Sequence, residues 1–291
     1  MIKIPFLYIV AIGMLAVGCQ KSGLGDGFDN NILTPDSSYL RQYIGYEGAS
    51  TTEVANEKYE YDAELRLKSI ISWRRTLDIV TSQMNQYRDT ITFHYNGSSQ
   101  TPIGYKSSWN QYDDANTLLT YGGSIRRVGY TSDGKIFYDT TVSQTSGNIS
   151  YRRFVYESAS LIKEYRKSSA TGAESEIVLN LISLPGNKWE QFFNGVKNVE
   201  CTLDDKKHPF KKLQPVASFF DVNYPYPNDL VLTGPSKNNI LAFKLYSAAS
   251  STLLFEMNNT YTYRSDGYPV TVSKMYTIPF NWHVTGKFFY Y

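Results

Sequence analysis

Apolar and polar residues alternate with a period of two over most of the chain. The clearest examples are residues 64–68, 90–95 and 260–264, where Leu, Ile, Phe or Tyr alternates with polar or charged residues. Because successive side chains of a strand point to opposite faces, each segment has one apolar and one polar face, as in many antiparallel sheets. No stretch shows a long 3.6-residue period, so the pattern predicts strands rather than helices.

Short turn motifs separate these segments. They are Asn96-Gly97, Gly122-Gly123, Asp133-Gly134, Gly147-Asn148, Asn194-Gly195 and Asp266-Gly267. Asn-Gly and Asp-Gly accept the positive φ angles that tight hairpins require. One predicted hairpin runs from Tyr261 to Tyr276, and another runs from Leu118 to Tyr130 with its turn at Gly122-Gly123. We expect an all-β fold, an antiparallel meander of successive hairpins that forms a strongly curved sheet or a partly closed, water-soluble barrel.

Two segments depart from the alternation. Residues 38–45 fit either a short helix capped by Asp36 or a strand, and both alternatives stay open. Residues 206–239 carry five of the 11 prolines of the chain. Proline cannot donate a hydrogen bond to a sheet, so this stretch is an irregular excursion or a sheet edge. We therefore expect a single β domain over residues 38–291, with a Pro-rich irregular excursion at 206–239.

The N-terminus has the features of an export signal. Residues 4–17 are apolar and follow a short positive start, but they are fewer than the roughly 20 residues that a membrane helix needs. Leu15-Ala16-Val17-Gly18-Cys19 resembles the lipobox of bacterial lipoproteins, which are cut before the cysteine and acylated on it. The resemblance implies a signal peptide at 1–18 and a lipid attached to Cys19. In the alternative, an ordinary signal peptide, Cys19 is incidental.

The residues after Cys19 bear on the membrane face. Residues 19–37 are rich in Gly, Asn, Asp and Ser, which predicts a flexible tether between lipid and fold. We expect the anchored protein at the outer membrane of a Gram-negative bacterium. Gln20-Lys21-Ser22-Gly23 is not an acidic run of the kind that accompanies surface export. This favours the periplasmic face but leaves the surface open.

Two hairpin segments resemble the tyrosine–aspartate hairpin repeat. Tyr59 to Ile70 begins Tyr-Glu-Tyr-Asp, Tyr261 to Val272 is a closer copy, and Tyr130 to Lys135 is a fragment. Together with the lipobox, these segments are similar to an uncharacterised lipoprotein family of Bacteroidales bacteria. That resemblance implies a porin-like fold and leaves the function open, because the motif specifies hairpins rather than chemistry.

Adjacent basic residues argue against a barrel wall that faces lipid. The pairs are Arg74-Arg75, Arg126-Arg127, Arg152-Arg153 and Lys211-Lys212. Within a strand, each pair places one charge on each face, and a charge on the lipid face costs about 2–4 kcal/mol at mid-bilayer. The aromatic residues at 288–291 favour the opposite conclusion, a membrane barrel, because outer-membrane barrels also end in an aromatic residue. We expect a barrel or sheet in water.

Composition leaves little room for catalysis or nucleic-acid binding. The formal net charge is +2, which does not favour a nucleic-acid partner. His94, His208 and His283 are isolated in the sequence, and no Gly-x-Ser-x-Gly motif occurs. The carboxylate pairs Asp113-Asp114 and Asp204-Asp205 are typical of turns. We therefore expect no enzyme activity, no metal and no cofactor.

Aromatic residues make up 15% of the chain, a share that packing in strands explains by itself, but those near polar loop residues favour carbohydrate as a ligand. Sugars stack their C–H faces on Trp and Tyr rings, while polar neighbours bond the hydroxyl groups. The candidate stacking residues are Tyr224, Tyr226, Trp109, Trp189 and Trp282.

Two short motifs resemble the O-glycosylation sequon of this bacterial group. They are Asp89-Thr90-Ile91 and Asp139-Thr140-Thr141, which make Thr90 and Thr140 candidate modification sites.

The expected function is that of a lipid-anchored envelope lipoprotein. In the first interpretation it is a non-enzymatic binding or accessory module for a glycan or an outer-membrane partner. In the second it is a structural component of an envelope complex without a small ligand. A glycoside hydrolase, the third alternative, needs a concave site with two carboxylates at suitable spacing.

Overall fold

The protein is a closed antiparallel β-barrel in a computed structural model that describes residues 39–77, 84–169, 171–209, 238–247, 250–278 and 281–291. Sixteen strands follow one another in the described residues. They are β1 (Leu40–Glu47), β2 (Glu53–Tyr61), β3 (Leu67–Leu77), β4 (Met84–Tyr95), β5 (Pro102–Tyr112), β6 (Leu118–Tyr130), β7 (Ile136–Ser143), β8 (Ile149–Tyr156), β9 (Leu161–Lys167), β10 (Ser175–Leu184), β11 (Lys188–Phe193), β12 (Val196–Leu203), β13 (Ile240–Tyr246), β14 (Leu253–Tyr263), β15 (Pro269–Ile278) and β16 (Trp282–Tyr290). The signal peptide (1–18), the tether (19–37) and most of the Pro-rich excursion lie outside these residues.

The predicted meander is confirmed, but the prediction of a partly closed sheet is wrong. Each strand pairs with its neighbours in the chain, and β1 pairs with β16 from Leu40 opposite Tyr290 to Glu47 opposite Val284. This last pairing supplies partners for both edge strands, so the barrel has no open edge. Local sequence patterns define hairpins, but they carry no information about a register between the first and last strands.

Two local predictions are now decided. Residues 40–47 form a strand that pairs with β16 and β2, and Tyr43 on β1 packs against Phe288 on β16 with ring centroids 5.3 Å apart. The predicted hairpin from Leu118 to Tyr130 is wrong, since these residues form the single strand β6. A Cβ atom at Gly122 would lie 2.5 Å from the indole of Trp109 on β5. Glycine is needed there to seat a ring, not to turn the chain.

The other turn motifs connect strands as predicted. Four connections share one hydrogen-bond pattern: residues 62–66, 113–117, 131–135 and 264–268. In each, the N–H of the first residue donates to the carbonyl of the fifth, and the N–H of the fourth donates to the carbonyl of the first. The fourth residues have positive φ: Leu65 (61°), Asn116 (63°), Gly134 (81°) and Gly267 (87°).

A tyrosine contact recurs at one end of the barrel. Five strands end in a tyrosine whose hydroxyl donates to the backbone carbonyl of the first residue of the preceding strand. The pairs are Tyr61 with Leu40, Tyr95 with Leu67, Tyr130 with Pro102, Tyr156 with Ile136 and Tyr290 with Pro269, all at 2.8–2.9 Å. Each contact ties the end of one strand to the start of its neighbour.

Apolar side chains of the inward face form the core. One cluster lies on β1 to β4 with β15 and β16, and includes Tyr43, Tyr59 and Phe93. A second cluster is centred on β12 to β16 and includes Cys201 and Phe243. Burial of these large side chains is the main stabilising contribution to the fold.

Candidate functional site

The outward face of the barrel carries charged side chains in mid-strand. Glu190, Glu200, Lys244 and Glu256 lie opposite one another on β11, β12, β13 and β14. The Lys244 and Glu256 side chains are 3.5 Å apart, and Lys197 lies 3.2 Å from both Glu190 and Glu200. The inward neighbours of these residues, such as Val199 and Phe243, are buried. The outer wall of these four strands is therefore a continuous row of charges.

The basic pairs place one charge on each face, as predicted. Arg126 is 5% exposed and pairs with Asp139, whereas Arg127 is exposed. Arg152 points inward and Arg153 outward on β8. Arg74 pairs with Asp89, and Arg75 pairs with Asp114. The pair at 211–212 lies outside the described residues.

The inward arginines hold a buried ion network on β6 to β9. Asp139 is 1% exposed, and one of its oxygens lies 2.6 Å from both Arg126 and Arg152. Glu164 is fully buried and pairs with Arg166 at 2.6 Å. Because buried carboxylates need partners, this network fixes the inward face of the four strands and the direction of the side chains between them.

A cleft lies on the outer side of this same wall. It encloses about 340 Å³ and is open to solvent. Two cross-strand rows of side chains line it. One row is Tyr138, Arg153 and Tyr165, and the other is Thr140, Tyr151 and Lys167, with Glu174 at the margin.

The aromatic rings give the cleft an exposed apolar surface. Tyr138 is 42% exposed, and its ring covers Gly129 on the neighbouring strand, where no Cβ atom would fit. The guanidinium of Arg153 lies 4.0 Å from the ring centroid of Tyr165, a cation–π distance. Cross-strand neighbours on one face have Cβ atoms about 5 Å apart, so the rings and the cation are close enough to contact one ligand.

The charges of the cleft are not all paired. Arg153 Nη2 lies 3.2 Å from Glu174 Oε2. Lys167 has no hydrogen-bond or ion-pair partner among the described residues. The hydroxyl of Tyr165 donates to Glu176 on β10, and this hydrogen bond, together with burial, raises the pKa of the phenol. The cleft therefore offers a cation, Lys167, that no described residue neutralises.

The predicted stacking residues are not brought together. Trp109 covers Gly122 on the inward side of β5, and Trp189 packs against the apolar cluster from β11. Trp282 on β16 stacks on Tyr276 at 5.5 Å. Cys19, Tyr224 and Tyr226 lie outside the described residues.

The two predicted modification sites lie on outward strand positions. Thr90 and Thr140 are half-buried on β4 and β7, and Thr140 lines the cleft. Their aspartates point inward, Asp89 to Arg74 and Asp139 to Arg126 and Arg152. Modification of either threonine stays a prediction.

Apart from Thr140, the cleft residues were not among the predicted site residues, although they leave a pattern in the sequence. Tyr138-x-Thr140, Tyr151-x-Arg153 and Tyr165-x-Lys167 place a tyrosine and a polar residue on one face of three consecutive strands. The registers that bring the three motifs together come from the hairpins of β7, β8 and β9. Tyr-x-polar on successive strands would have been the signal to follow.

Other reactive groups are spread over the fold. His94 is exposed on β4, and His283 on β16 is 2.8 Å from the Ser273 hydroxyl. Burial raises the pKa of the Cys201 thiol to about 12. Asp113 bonds the turn N–H of Thr117. No cluster of three or more His, Cys, Asp or Glu residues suited to a metal occurs in the described ranges.

A polar cluster lies between the end of β12 and the start of β13. The Asp204 carboxylate accepts hydrogen bonds from the backbone and side chain of Asn239, each at 2.9 Å, and from the hydroxyl of Tyr263. His208 beside it is buried, which lowers the pKa of its imidazole to about 4 although Asp204 opposes the shift. The cluster ties the chain that leaves β12 to the chain that enters β13.

The strands and their closure define a porin-like antiparallel barrel. The chain is similar to the crystal structure of a porin-like protein from Bacteroides uniformis, with 14% identity and a TM-score of 0.50, over 89% of this chain and 100% of the other. For a porin-like protein from Bacteroides vulgatus the identity is 9% and the TM-score 0.38, over 88% and 99% of the two chains. At such identities the similarity to the first structure concerns the fold alone.

No protein-family model and no curated protein matches the sequence. In the described part of the chain, no helix is long and apolar enough to span a membrane.

Proposed function

We propose that this protein is an exported, lipid-anchored protein of the outer membrane whose water-facing barrel binds a glycan without chemical conversion. The observation that carries the proposal is the tyrosine-lined cleft on a charged outer wall. The lipobox ending at Cys19 supports the anchor, and the porin-like fold is consistent with the cell envelope.

The outward charges support a barrel wall in water. Such residues occur on strands all around the barrel: Lys58, Arg88, Lys106, Arg127, Lys163, Glu190, Lys244, Glu256 and Lys287. In lipid, each basic residue near the midplane would cost about 2–4 kcal/mol. Membrane attachment is then the role of the lipid on Cys19, while the barrel presents its wall to solvent or to a partner.

The chemistry of the cleft supports a saccharide ligand. The exposed face of Tyr138 can stack on the C–H face of a sugar ring. Thr140, Lys167 and Arg153 can donate hydrogen bonds to hydroxyl or acidic groups. Glycoside hydrolysis commonly needs two carboxyl groups on either side of the bond. Asp139 is turned inward and ion-paired, so Glu174 is the carboxylate available in the lining. These features support binding rather than hydrolysis.

Fractionation of cells tests the anchor. Wild-type protein is expected in the outer-membrane fraction, and Cys19→Ala is expected to remove it from that fraction. Protease treatment of intact cells then separates the two faces, since only surface protein is digested without lysis. Unchanged outer-membrane attachment of Cys19→Ala would refute the lipid anchor.

A glycan array tests the binding function. Wild-type protein is expected to retain at least one glycan class, and Tyr138→Ala should lose it because the stacking surface is gone. Tyr121→Ala is the matched control, since Tyr121 is 65% exposed on β6 and does not line the cleft. Absence of retention by any glycan, or equal loss with both variants, would contradict the proposed function.

A structural role in an envelope complex is the second candidate. The observation that favours it is a group of exposed apolar residues at alternate positions of β6, opposite in direction to Gly122: Leu119, Tyr121 and Ile125, which are 37–65% exposed. Exposed apolar patches often mark protein interfaces. A photo-cross-linker at position 119 should capture one defined envelope protein in intact cells if this role is correct. Cross-linking no more than at exposed Lys68 would exclude it.

A further inference from the structure

We infer that the cleft of β7, β8 and β9 selects an acidic saccharide, whose carboxylate binds between Arg153 and Lys167. This inference rests on the proposed glycan-binding function and specifies its ligand class. Three observations support it: the uncompensated charge of Lys167, the exposed ion pair of Arg153, and the tyrosine rings on either side of Arg153.

The first observation concerns charge. Lys167 is half-buried in the cleft and has no ion-pair partner among the described residues. Lys163, two outward positions earlier on the same strand, is paired with Glu157 at 2.6 Å. The strand therefore neutralises one lysine outside the cleft and leaves the lysine inside it for another anion.

The second observation is the position of Glu174. Its carboxylate lies 3.2 Å from Arg153, and the arginine side chain is 48% exposed. An exposed ion pair of this kind contributes about 0.2–1 kcal/mol, so a ligand carboxylate can replace Glu174 at little cost. Glu174 occupies the position that the acidic group of a saccharide would take beside the guanidinium.

The third observation is the arrangement of the rings. Tyr138 and Tyr165 lie opposite Arg153 on the two neighbouring strands. Tyr165 holds the guanidinium against its face at 4.0 Å, so the arginine needs little further ordering when an anion binds. Tyr138 stays exposed beside it and can receive the sugar ring. One ligand that carries both a ring and a carboxylate satisfies both groups.

Paired ligands test this inference. Oligosaccharides of galacturonate, glucuronate and N-acetylneuraminate are compared with their methyl esters, which keep the sugar and remove the charge. Wild-type protein is expected to bind at least one acid at least about tenfold more tightly than its ester, as for a charge-assisted hydrogen bond. The preference should decrease with added salt, because the cleft is open to solvent.

Three variants assign the preference to the cleft. Lys167→Gln should weaken binding of the acid about tenfold and leave the ester nearly unchanged. Glu174→Gln should strengthen binding of the acid about threefold, because the competing carboxylate is removed. Lys163→Gln, on the same face of β9, is the matched control and should bind as wild type. Thermal unfolding verifies that each variant is folded.

The outcomes separate this inference from the proposed function. If acid and ester bind equally, or if only neutral glycans on the array are retained, the inference is overturned and glycan binding stands. If neither acids, esters nor any arrayed glycan bind, both are overturned. A loss with Lys163→Gln equal to that with Lys167→Gln would also overturn the assignment to this cleft.

Discussion

At the scale of single residues, Leu65 holds a backbone conformation that leucine rarely adopts. Its φ is 61°, at the turn position where two other hairpins have Gly134 and Gly267. The turn at 113–117 has the same hydrogen bonds and places Asn116 there, with φ 63°. A left-handed conformation costs a residue with a large Cβ substituent about 1–2 kcal/mol, and asparagine tolerates it better.

Leu65→Asn is therefore expected to stabilise the protein by about 0.5–1 kcal/mol. Denaturant unfolding measures this as a higher midpoint with an unchanged slope. Asn116→Leu is the reciprocal control and should lower the midpoint. A lower midpoint for Leu65→Asn would show that packing of the leucine side chain outweighs the strain.

His208 makes the stability of the fold depend on pH. Burial lowers the pKa of its imidazole to about 4, against an ordinary value of 6.5. Between these values the unfolded chain binds the proton and the folded chain does not. The contribution of neutral His208 to the free energy of unfolding is therefore fully present above about pH 6.5. It is lost as the pH decreases to about 4, and the loss is up to about 3 kcal/mol.

His208→Gln should remove this contribution. Unfolding free energies measured at pH 7.5, 6 and 5 are expected to fall less steeply in the variant than in the wild type. Because other groups titrate in both proteins, the difference between the two curves isolates His208. Parallel curves would contradict the expectation.

At the scale of elements, hairpins with a strong turn motif were predictable from the sequence. Asp266-Gly267 supplies the positive φ that its turn uses, and the predicted hairpin from Tyr261 to Tyr276 lies within β14 and β15. At Gly122-Gly123 the sequence does not distinguish the two cases, because a glycine needed for close packing looks the same in sequence as a glycine needed for a turn. The indole of Trp109, which belongs to another strand, makes the difference.

The tyrosines at strand ends give an element-scale prediction. Tyr156→Phe removes the hydroxyl that donates to the Ile136 carbonyl at 2.9 Å but keeps the ring near Lys135. We expect a loss of about 0.5–1.5 kcal/mol in unfolding free energy. Tyr121→Phe, an exposed tyrosine, is the control and should change stability by less than about 0.5 kcal/mol. Equal effects in the two variants would show that the strand-end contact is not stabilising.

At the scale of the whole molecule, the polarity of the two faces was predictable and the closure was not. Adjacent arginines in a strand place charges on both faces whatever the final shape, so pairs such as Arg126-Arg127 already argued against a lipid-facing wall. Closure depends on β1 meeting β16, whose residues are far apart in the sequence. The cleft needs three strands in register, which no single motif specifies. The candidate residues Tyr224 and Tyr226 lie outside the described residues and stay predictions.

The central claim is that the outer wall of this closed barrel faces water. The most direct measurement is sedimentation velocity with circular dichroism on the chain after Cys19, purified without detergent. A monodisperse species of low oligomeric state with a β-sheet spectrum is the result we predict. Aggregation or loss of the β-sheet spectrum in buffer, with recovery of both on adding detergent micelles, would show a lipid-facing wall and contradict the claim.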